Sequence, residues 1–159
     1  MAKEVKTNAM RMLETAKIPY TKHTYETDDG HIDGISVARK MGQNPKEVYK
    51  TLVTKGHSKE HFVFVIPVEA ELDLKKAAKA VGEKNVEMLA VADLLKTTGY
   101  IRGGCSPVGM KKQFKTVIDV SAENLDKMYV SGGKIGLQVC LSPLDLKKII
   151  NAKLEKITN

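Results

Sequence analysis

Residues 48–67 read VYKTLVTKGHSKEHFVFVIP. β-branched and aromatic residues fill both ends of this stretch, and the turn residues Gly56-His57-Ser58 separate them. Such a pattern predicts two neighbouring strands, Val48–Val53 and His61–Pro67. The first strand is largely apolar on both faces apart from Lys50, which is typical of a strand in the interior of a sheet. We therefore expect the fold to be built around a sheet that contains this pair.

Strands and helices are intermixed in the rest of the chain, without a strict βαβ rhythm. The apolar spacing predicts further strands at Tyr20–Tyr25, Thr116–Asp119, Met128–Ser131 and Leu137–Leu141. It predicts helices at Val5–Lys17, Ile35–Met41, Asp73–Ala80, Val91–Lys96 and Ala122–Lys127, and a last helix from Pro143 to about Ile157. We predict an α/β (α+β) fold with a mixed, barrel-like β-sheet surrounded by helices, and a single domain over residues 1–159.

The charge is the most informative part of the composition. The chain has 26 Lys and Arg residues against 19 Asp and Glu residues, a net charge of +7. Arg occurs only at Arg11, Arg39 and Arg102, and aromatic residues make up 5% with no Trp. Lysine point charges suit diffuse attraction to phosphates, whereas base readout favours Arg and stacking needs aromatics. The charge therefore indicates a surface that attracts polyanions, a nucleic-acid backbone first and an anionic membrane second, or a surface that only keeps the protein soluble.

Several classes of protein are not supported by the sequence. The longest strongly apolar run, Phe62–Val68, is far shorter than the roughly 20 residues of a membrane helix. The first residues lack the apolar segment of a signal peptide, so we expect no membrane association and a cytoplasmic location. The two cysteines and four histidines have no metal-ligand spacing, and the usual glycine-rich nucleotide loops are absent. We expect no metal and no cofactor.

Lys50 is the most unusual side chain in the predicted sheet. It shares one strand face with Val48 and Leu52, so either orientation of the strand puts a cation among apolar neighbours. A buried lysine is rare unless it is paired or functional. The alternative is an edge strand whose lysine reaches solvent, and the strand pattern alone favours this alternative.

Two glycine clusters are the other candidate features. Residues 103–109 contain three glycines, Ser106 and Pro107, and residues 129–134 end a strand with Ser131-Gly132-Gly133. Glycines let the backbone approach a ligand and present N–H groups to an anion, although each cluster can also be a simple turn. No Ser–His or Cys–His nucleophile is evident, and Cys105 is interpreted as a small buried hydrophobe.

Six short motifs occur in an order that resembles the YbaK/EbsC family of free-standing aminoacyl-tRNA deacylases, which are related to the editing domain of bacterial prolyl-tRNA synthetase. The resemblance extends from about Val5 to Lys153. The motifs are His23–Glu26, Asn44–Leu52, Leu72–Lys76, Thr98–Tyr100, Gly103–Pro107 and Tyr129–Lys134.

The resemblance implies removal of a wrong amino acid from tRNA, with Cys-tRNA(Pro), and more loosely Cys-tRNA(Cys), as the substrate of the most similar subgroup. Its partners would be aminoacylated tRNA and prolyl-tRNA synthetase. By motif match, Lys50 would be the essential lysine. The remaining matched residues would line the pocket for the terminal adenosine and the aminoacyl group: Tyr25, Thr51, Gly103, Gly104, Ser106, Pro107, Ser131, Gly132 and Gly133.

This sequence departs from the family pattern at two positions. Gln138 stands where the family often has an acidic residue, and Cys105 where it often has an aliphatic one, which favours packing for Cys105. Since no nucleophile is evident, the implied mechanism is attack by the thiol of the substrate cysteine on its own ester. Two alternatives stay open: an Ala-tRNA(Pro)-type deacylase that uses water, and a non-catalytic module that binds tRNA or a synthetase.

Overall fold

The computed structural model describes residues 6–159. Its α-helices are α1 (Asn8–Thr15), α2 (Gly34–Lys40), α3 (Leu74–Val81), α4 (Val91–Thr98) and α5 (Pro143–Ile149). Its strands are β1 (Thr21–Thr24), β2 (Tyr49–Gly56), β3 (His61–Pro67), β4 (Val86–Met88), β5 (Lys115–Asp119), β6 (Met128–Ser131), β7 (Leu137–Leu141) and β8 (Lys153–Glu155). Short 3₁₀ helices cover Pro45–Glu47 and Val120–Asn124.

The strands form two sheets. The larger sheet has the order β4-β2-β3-β5-β8, and the smaller has the order β1-β7-β6. β2 and β3 pair antiparallel from Tyr49–Pro67 to Lys55–His61, which confirms the strand pair predicted from residues 48–67. β5 and β8 then add to β3 in parallel, so the sheet is mixed as expected.

The two sheets are not closed into a barrel. A single parallel bridge between Val48 and Tyr129 connects them in the described part of the chain. β4 pairs with β2 only at Thr54–Gly56, and the Leu89 N–H after β4 donates to the Val53 carbonyl. Residues 50–52 of β2 are therefore a half-paired segment, whose ladder partner among the described strands is β3. The sheets diverge beside this half-paired segment, and the opening between them becomes a cavity.

Both faces of the larger sheet are covered by apolar side chains. Tyr49, Val53 and Val65 face a core shared with Val130 and Val139 of the smaller sheet. Phe62, Phe64 and Ile66 alternate with them and pack against the alanines of α3. This two-sided burial is the physical reason why the β2 and β3 sequences are apolar throughout. No helix in residues 6–159 is both long enough and apolar enough to span a membrane.

Several predicted element boundaries are wrong. The last helix ends at Ile149 and not near Ile157, because Asn151 has a φ of 50° and the chain then continues as β8. The helix expected at 122–127 is the 3₁₀ turn Val120–Asn124, and the three-residue strand β4 was not predicted. Thr7 caps α1 through the N–H of Met10, whereas the predicted start at Val5 lies outside the described residues.

Asp119 holds the C-terminal segment to the sheet. Its carboxylate is 2% exposed and accepts hydrogen bonds from the Ile157 N–H at 3.1 Å and the Thr158 hydroxyl at 3.3 Å. It also accepts the Ser121 N–H at 3.2 Å. Burial alone would raise the pKa of this carboxyl, but the hydrogen bonds from Ser121 and Ile157 outweigh burial and keep the pKa below its usual value.

We expect Asp119→Ala to lower the free energy of unfolding by about 2–4 kcal/mol at pH 7, since it leaves buried donors unpaired. The native pKa is depressed, so the ionised carboxylate stabilises the fold above the unfolded pKa of about 3.9 and loses this effect as the pH falls through the native value. Urea unfolding at pH 7 and pH 3 should therefore show a smaller difference between wild type and variant at pH 3. The exposed Asp126→Ala serves as control, and equal losses in both variants would contradict the role of Asp119.

Candidate active site

A cavity of about 780 Å³ lies where the two sheets diverge. The Tyr49–Leu52 segment of β2 forms one wall, and Ser131 of β6 with Leu137 and Gln138 of β7 forms another. Residues of the segment 30–35, which runs from a loop into the first turn of α2, and the first glycine cluster also contribute to the lining. Five of the residues proposed from sequence line the cavity together: Tyr25, Lys50, Thr51, Gly103 and Ser131.

Lys50 lines this cavity from the half-paired segment of β2. Its strand neighbour across the ladder is Ile66, and Val48, Leu52 and Val68 line the cavity beside it. The side chain is partly buried, and its ammonium forms no hydrogen bond or ion pair with any residue from 6 to 159. The sequence left a buried lysine and an edge lysine as alternatives. The structure combines features of both alternatives. Lys50 lies on an interior strand of the sheet, near the end of β2 that borders the cavity.

Thr51 adds an unsatisfied polar group to the same wall. Its hydroxyl oxygen is buried and has no hydrogen-bond partner among the described residues. A buried hydroxyl without a partner costs about 1–3 kcal/mol. Thr51 therefore lines the cavity with an unsatisfied hydroxyl that is covered in this structure, so a substrate can bond it only where the covering atoms move.

The two glycine clusters pack against each other. A Cβ atom on Gly104 would lie 2.9 Å from the backbone of Lys134 and Ile135, so only glycine permits this approach. Gly103 has a φ of +87°, lines the cavity and forms no hydrogen bond with any described residue. Its N–H group is therefore a candidate backbone donor to a developing anion.

Five predicted members of the clusters are not among the lining residues: Gly104, Ser106, Pro107, Gly132 and Gly133. The polar groups of the clusters bond largely within the loops themselves. The N–H of Gly104 donates to the carbonyl of Ile101, and that of Gly132 to the carbonyl of Leu137. The hydroxyl of Ser131 accepts the N–H of Gly133. Ser106 is fully buried and accepts the N–H of Val108, and Pro107 beside it is buried too. In this structure the N–H groups of Gly104, Gly132 and Gly133 are therefore already paired.

Cys105 also lines the cavity, but its environment disfavours nucleophilic attack. Burial raises the pKa of its thiol to about 11, and a side-chain hydrogen bond with Thr98 offsets this only in part. The thiol is thus protonated at neutral pH, whereas attack requires the thiolate.

We expect Cys105→Ala to retain, within about threefold of wild type, the tRNA deacylation that the motif resemblance implies, because Cys105 packs the loop and supplies no electrons. Its melting temperature should fall by a few degrees, since about 1 kcal/mol of packing is lost. Deacylation rate and melting temperature are measured in parallel, with Cys140→Ala as the second cysteine variant. Complete loss of activity at an unchanged melting temperature would show that Cys105 takes part in the chemistry.

The structure also identifies cavity residues that sequence reasoning missed. The exposed Arg102 precedes the first glycine cluster and brings a second cation to the cavity. Asp33 lines it from the polar loop that was interpreted only as a connection. The adjacency of Arg102 to Gly103 was a usable signal, whereas nothing in loop 28–34 by itself marked Asp33.

Gln138 lines the cavity as a neutral residue. It is 5% exposed and forms two hydrogen bonds with Gln43. Gln43 Nε2 donates to Gln138 Oε1 at 2.8 Å, and Gln138 Nε2 donates to Gln43 Oε1 at 3.2 Å. The pair satisfies both amides and adds no charge to the wall. No carboxylate stands at this position, so the unpaired Lys50 receives no counter-ion from it.

Residues 33–149 match the family model of the aminoacyl-tRNA editing domain, so the chain belongs to this family. Members of such a family remove the amino acid from charged tRNA, and the match confirms the aminoacyl-tRNA deacylase expected from the motifs.

A relative in Enterococcus faecalis is 48% identical over 153 residues, covering 96% of this chain and 93% of its own. It carries the name "Putative Cys-tRNA(Pro)/Cys-tRNA(Cys) deacylase EbsC". This similarity confirms the resemblance to the YbaK/EbsC family.

Two solved structures share the fold at low identity. One, titled "Crystal structure of a putative trans-editing enzyme for prolyl tRNA synthetase", is 20% identical with a TM-score of 0.82, covering 98% of this chain and 99% of the other. The second, "hypothetical protein APE2540", is 19% identical with a TM-score of 0.88 and coverages of 96% and 100%. They confirm the mixed α/β architecture.

Proposed function

We propose that the protein removes cysteine from wrongly charged tRNA, with Cys-tRNA(Pro) as its main substrate and Cys-tRNA(Cys) as a second one. The observation that carries this proposal is an unpaired lysine in the cavity. The described lining residues supply cations, but none of their hydroxyl or thiol groups is hydrogen-bonded to a residue that could act as its general base. Among the described residues that line the cavity there is no histidine, and the Cys105 thiol is held in its protonated form. The name of the 48% identical relative supports the choice of substrate.

The substrate supplies the missing nucleophile in this mechanism. The thiol sulfur of the esterified cysteine attacks its own carbonyl carbon, the new C–S bond closes a thiolactone, and the C–O bond to the ribose breaks. The thiol proton ends on the ribose oxygen, so the products are free tRNA and cysteine thiolactone. A thiol has an ordinary pKa near 8.5, which makes it the most readily ionised nucleophile of a cysteinyl ester near neutral pH.

Lys50 and the Gly103 N–H are the groups that would stabilise this reaction. The ammonium of Lys50 favours the thiolate and the negative charge that develops on the carbonyl oxygen. The N–H of Gly103 is the second donor, and the unpaired Thr51 hydroxyl and Tyr25 help to hold the terminal nucleoside. An aminoacyl ester is already activated, so orientation and charge stabilisation are sufficient.

Prolyl-tRNA synthetase is the proposed partner. The relative is named for two tRNAs that share their amino acid and differ in their anticodons, which fits recognition of the charged end alone. A site that recognises only the charged end cannot distinguish tRNA(Pro) from other tRNAs. A synthetase that binds tRNA(Pro) would supply this selection. The same substrate implies a cytoplasmic location.

The direct test is incubation of the purified protein with Cys-tRNA(Pro), with and without prolyl-tRNA synthetase, while the remaining ester is measured over time. We expect loss of the ester with the protein alone and a faster rate with the synthetase. Binding of the tRNA with an intact ester would instead identify a non-catalytic module. A rate unchanged by the synthetase would contradict the partnership only.

A further inference from the structure

Asp33 is the acidic side chain of the cavity. Among the described lining residues it is the only carboxylate, and it shares the lining with the cations Lys50 and Arg102. It is exposed, so a ligand that fills the cavity can reach it. None of the roles assigned above uses this group.

The carboxylate retains capacity to bind a cation. Its Oδ1 accepts the Ser36 N–H at 3.0 Å and its Oδ2 accepts the Ser36 hydroxyl at 2.7 Å. A carboxylate offers about four acceptor sites, so about two remain. Asp33 forms no ion pair with any residue from 6 to 159. The hydrogen bonds from Ser36 also keep the pKa of Asp33 below its usual value, so it is ionised at neutral pH.

The charged end of an aminoacyl-tRNA has a matching charge pattern. It carries phosphates, which suit the exposed Arg102, and one cation, the α-ammonium group of the amino acid. We propose, on the basis of the proposed function, that the carboxylate of Asp33 binds this α-ammonium group. The site then accepts amino acids with a free amine and disfavours those whose amine is acylated, such as a peptidyl ester. The contact also fixes the orientation of the aminoacyl group relative to Lys50.

The simpler role of Asp33 is that of N-cap of α2, since its Oδ1 accepts the N–H of Ser36. Asparagine caps a helix about as well as aspartate. Asp33→Asn therefore preserves the cap and removes only the charge. Asp28→Asn is the matched control, because Asp28 is an exposed aspartate of the preceding loop that is not among the lining residues.

The test compares stable ligands, 3′-cysteinylamino-3′-deoxyadenosine and its N-acetyl derivative, at pH 6.5. At this pH an α-amine with a pKa of about 7.7–8.0 is protonated. We expect wild type and Asp28→Asn to bind the free-amine form about tenfold or more tightly than the N-acetyl form, as for a charge-assisted hydrogen bond. Asp33→Asn should lose this preference, with affinity for the N-acetyl form and the melting temperature unchanged.

Deacylation of Cys-tRNA(Pro) and N-acetyl-Cys-tRNA(Pro) provides the second readout and separates the two proposals. Equal binding of both ligands by wild type, a preference that survives in Asp33→Asn, or equal weakening for both ligands would each overturn the role of Asp33. In another outcome, wild type prefers the free-amine ligand and Asp33→Asn loses this preference, while neither tRNA is deacylated. That result would uphold the role of Asp33 and refute the proposed function. Failure of wild type to bind either ligand would overturn the role of Asp33, and deacylation of Cys-tRNA(Pro) would then decide the proposed function by itself.

Discussion

Lys50→Met is expected to lower the rate constant for Cys-tRNA(Pro) deacylation by about 100-fold or more. Lys50 is the cation among the cavity-lining residues of β2, and removing one preorganised oxyanion donor costs about 10²–10³ in rate. The fold should not suffer, because a partly buried cation without a described partner is replaced by an apolar chain of similar length. Single-turnover kinetics with saturating enzyme separate this effect from weaker tRNA binding.

Lys55→Met is the matched control for this variant. Lys55 is also partly buried on β2, but it lies at the opposite end of the strand, opposite His61, and is not among the cavity residues. It loses the same charge from the same strand, so a general electrostatic effect on tRNA capture would appear in both variants. We expect its rate to stay within about threefold of wild type. Equal losses in the two variants, or full activity of Lys50→Met, would remove Lys50 from the chemistry.

The centre of the fold was predictable because local pattern and global burial agree there. Residues 48–67 are apolar on both sides in the sequence, and the structure covers both faces of β2 and β3. The C-terminal segment was not predictable for the opposite reason. The hydrogen bond from Ile157 to Asp119 joins residues 38 positions apart, and no helix pattern reports a contact at that distance.

The candidate site was predictable where residue chemistry is unusual for its local structure. A lysine in an apolar strand has few structural explanations, so Lys50 was found. A glycine has several structural explanations. Gly103 lines the cavity, whereas its neighbour Gly104 allows the backbone of the second glycine cluster to pack closely against the first. Sequence cannot separate these uses, because both require the absence of a Cβ atom. Asp33 was missed because a capping aspartate and a ligand-binding aspartate look identical in a loop.

The amino acid on the tRNA should decide turnover through its chemistry. We expect Cys-tRNA(Pro) to be deacylated roughly 1,000-fold faster or more than Ser-tRNA(Pro) or Ala-tRNA(Pro), which exceeds what a pocket alone supplies. A pocket separates side chains that differ by one small group by only about 1–3 kcal/mol, or roughly 10–200-fold. Attack by the substrate thiol adds a chemical requirement that alanine lacks entirely and that a serine hydroxyl, far less acidic than a thiol, meets poorly. Initial rates with the three charged tRNAs at equal concentration measure this ratio.

S-methyl-Cys-tRNA(Pro) distinguishes the thiol from the shape of the side chain. Methylation keeps the sulfur but removes the ionisable proton, so the thiolate cannot form. If the thiol is the nucleophile, this substrate is spared even at concentrations at which it competes with Cys-tRNA(Pro) for binding. If water is the nucleophile, both Ala-tRNA(Pro) and the bound methylated substrate are cleaved. The released product is then the free amino acid. Binding of the methylated substrate without turnover therefore separates recognition from attack. The enzyme, including Lys50, is the same with the methylated and the unmethylated substrate, and only the nucleophile has been removed.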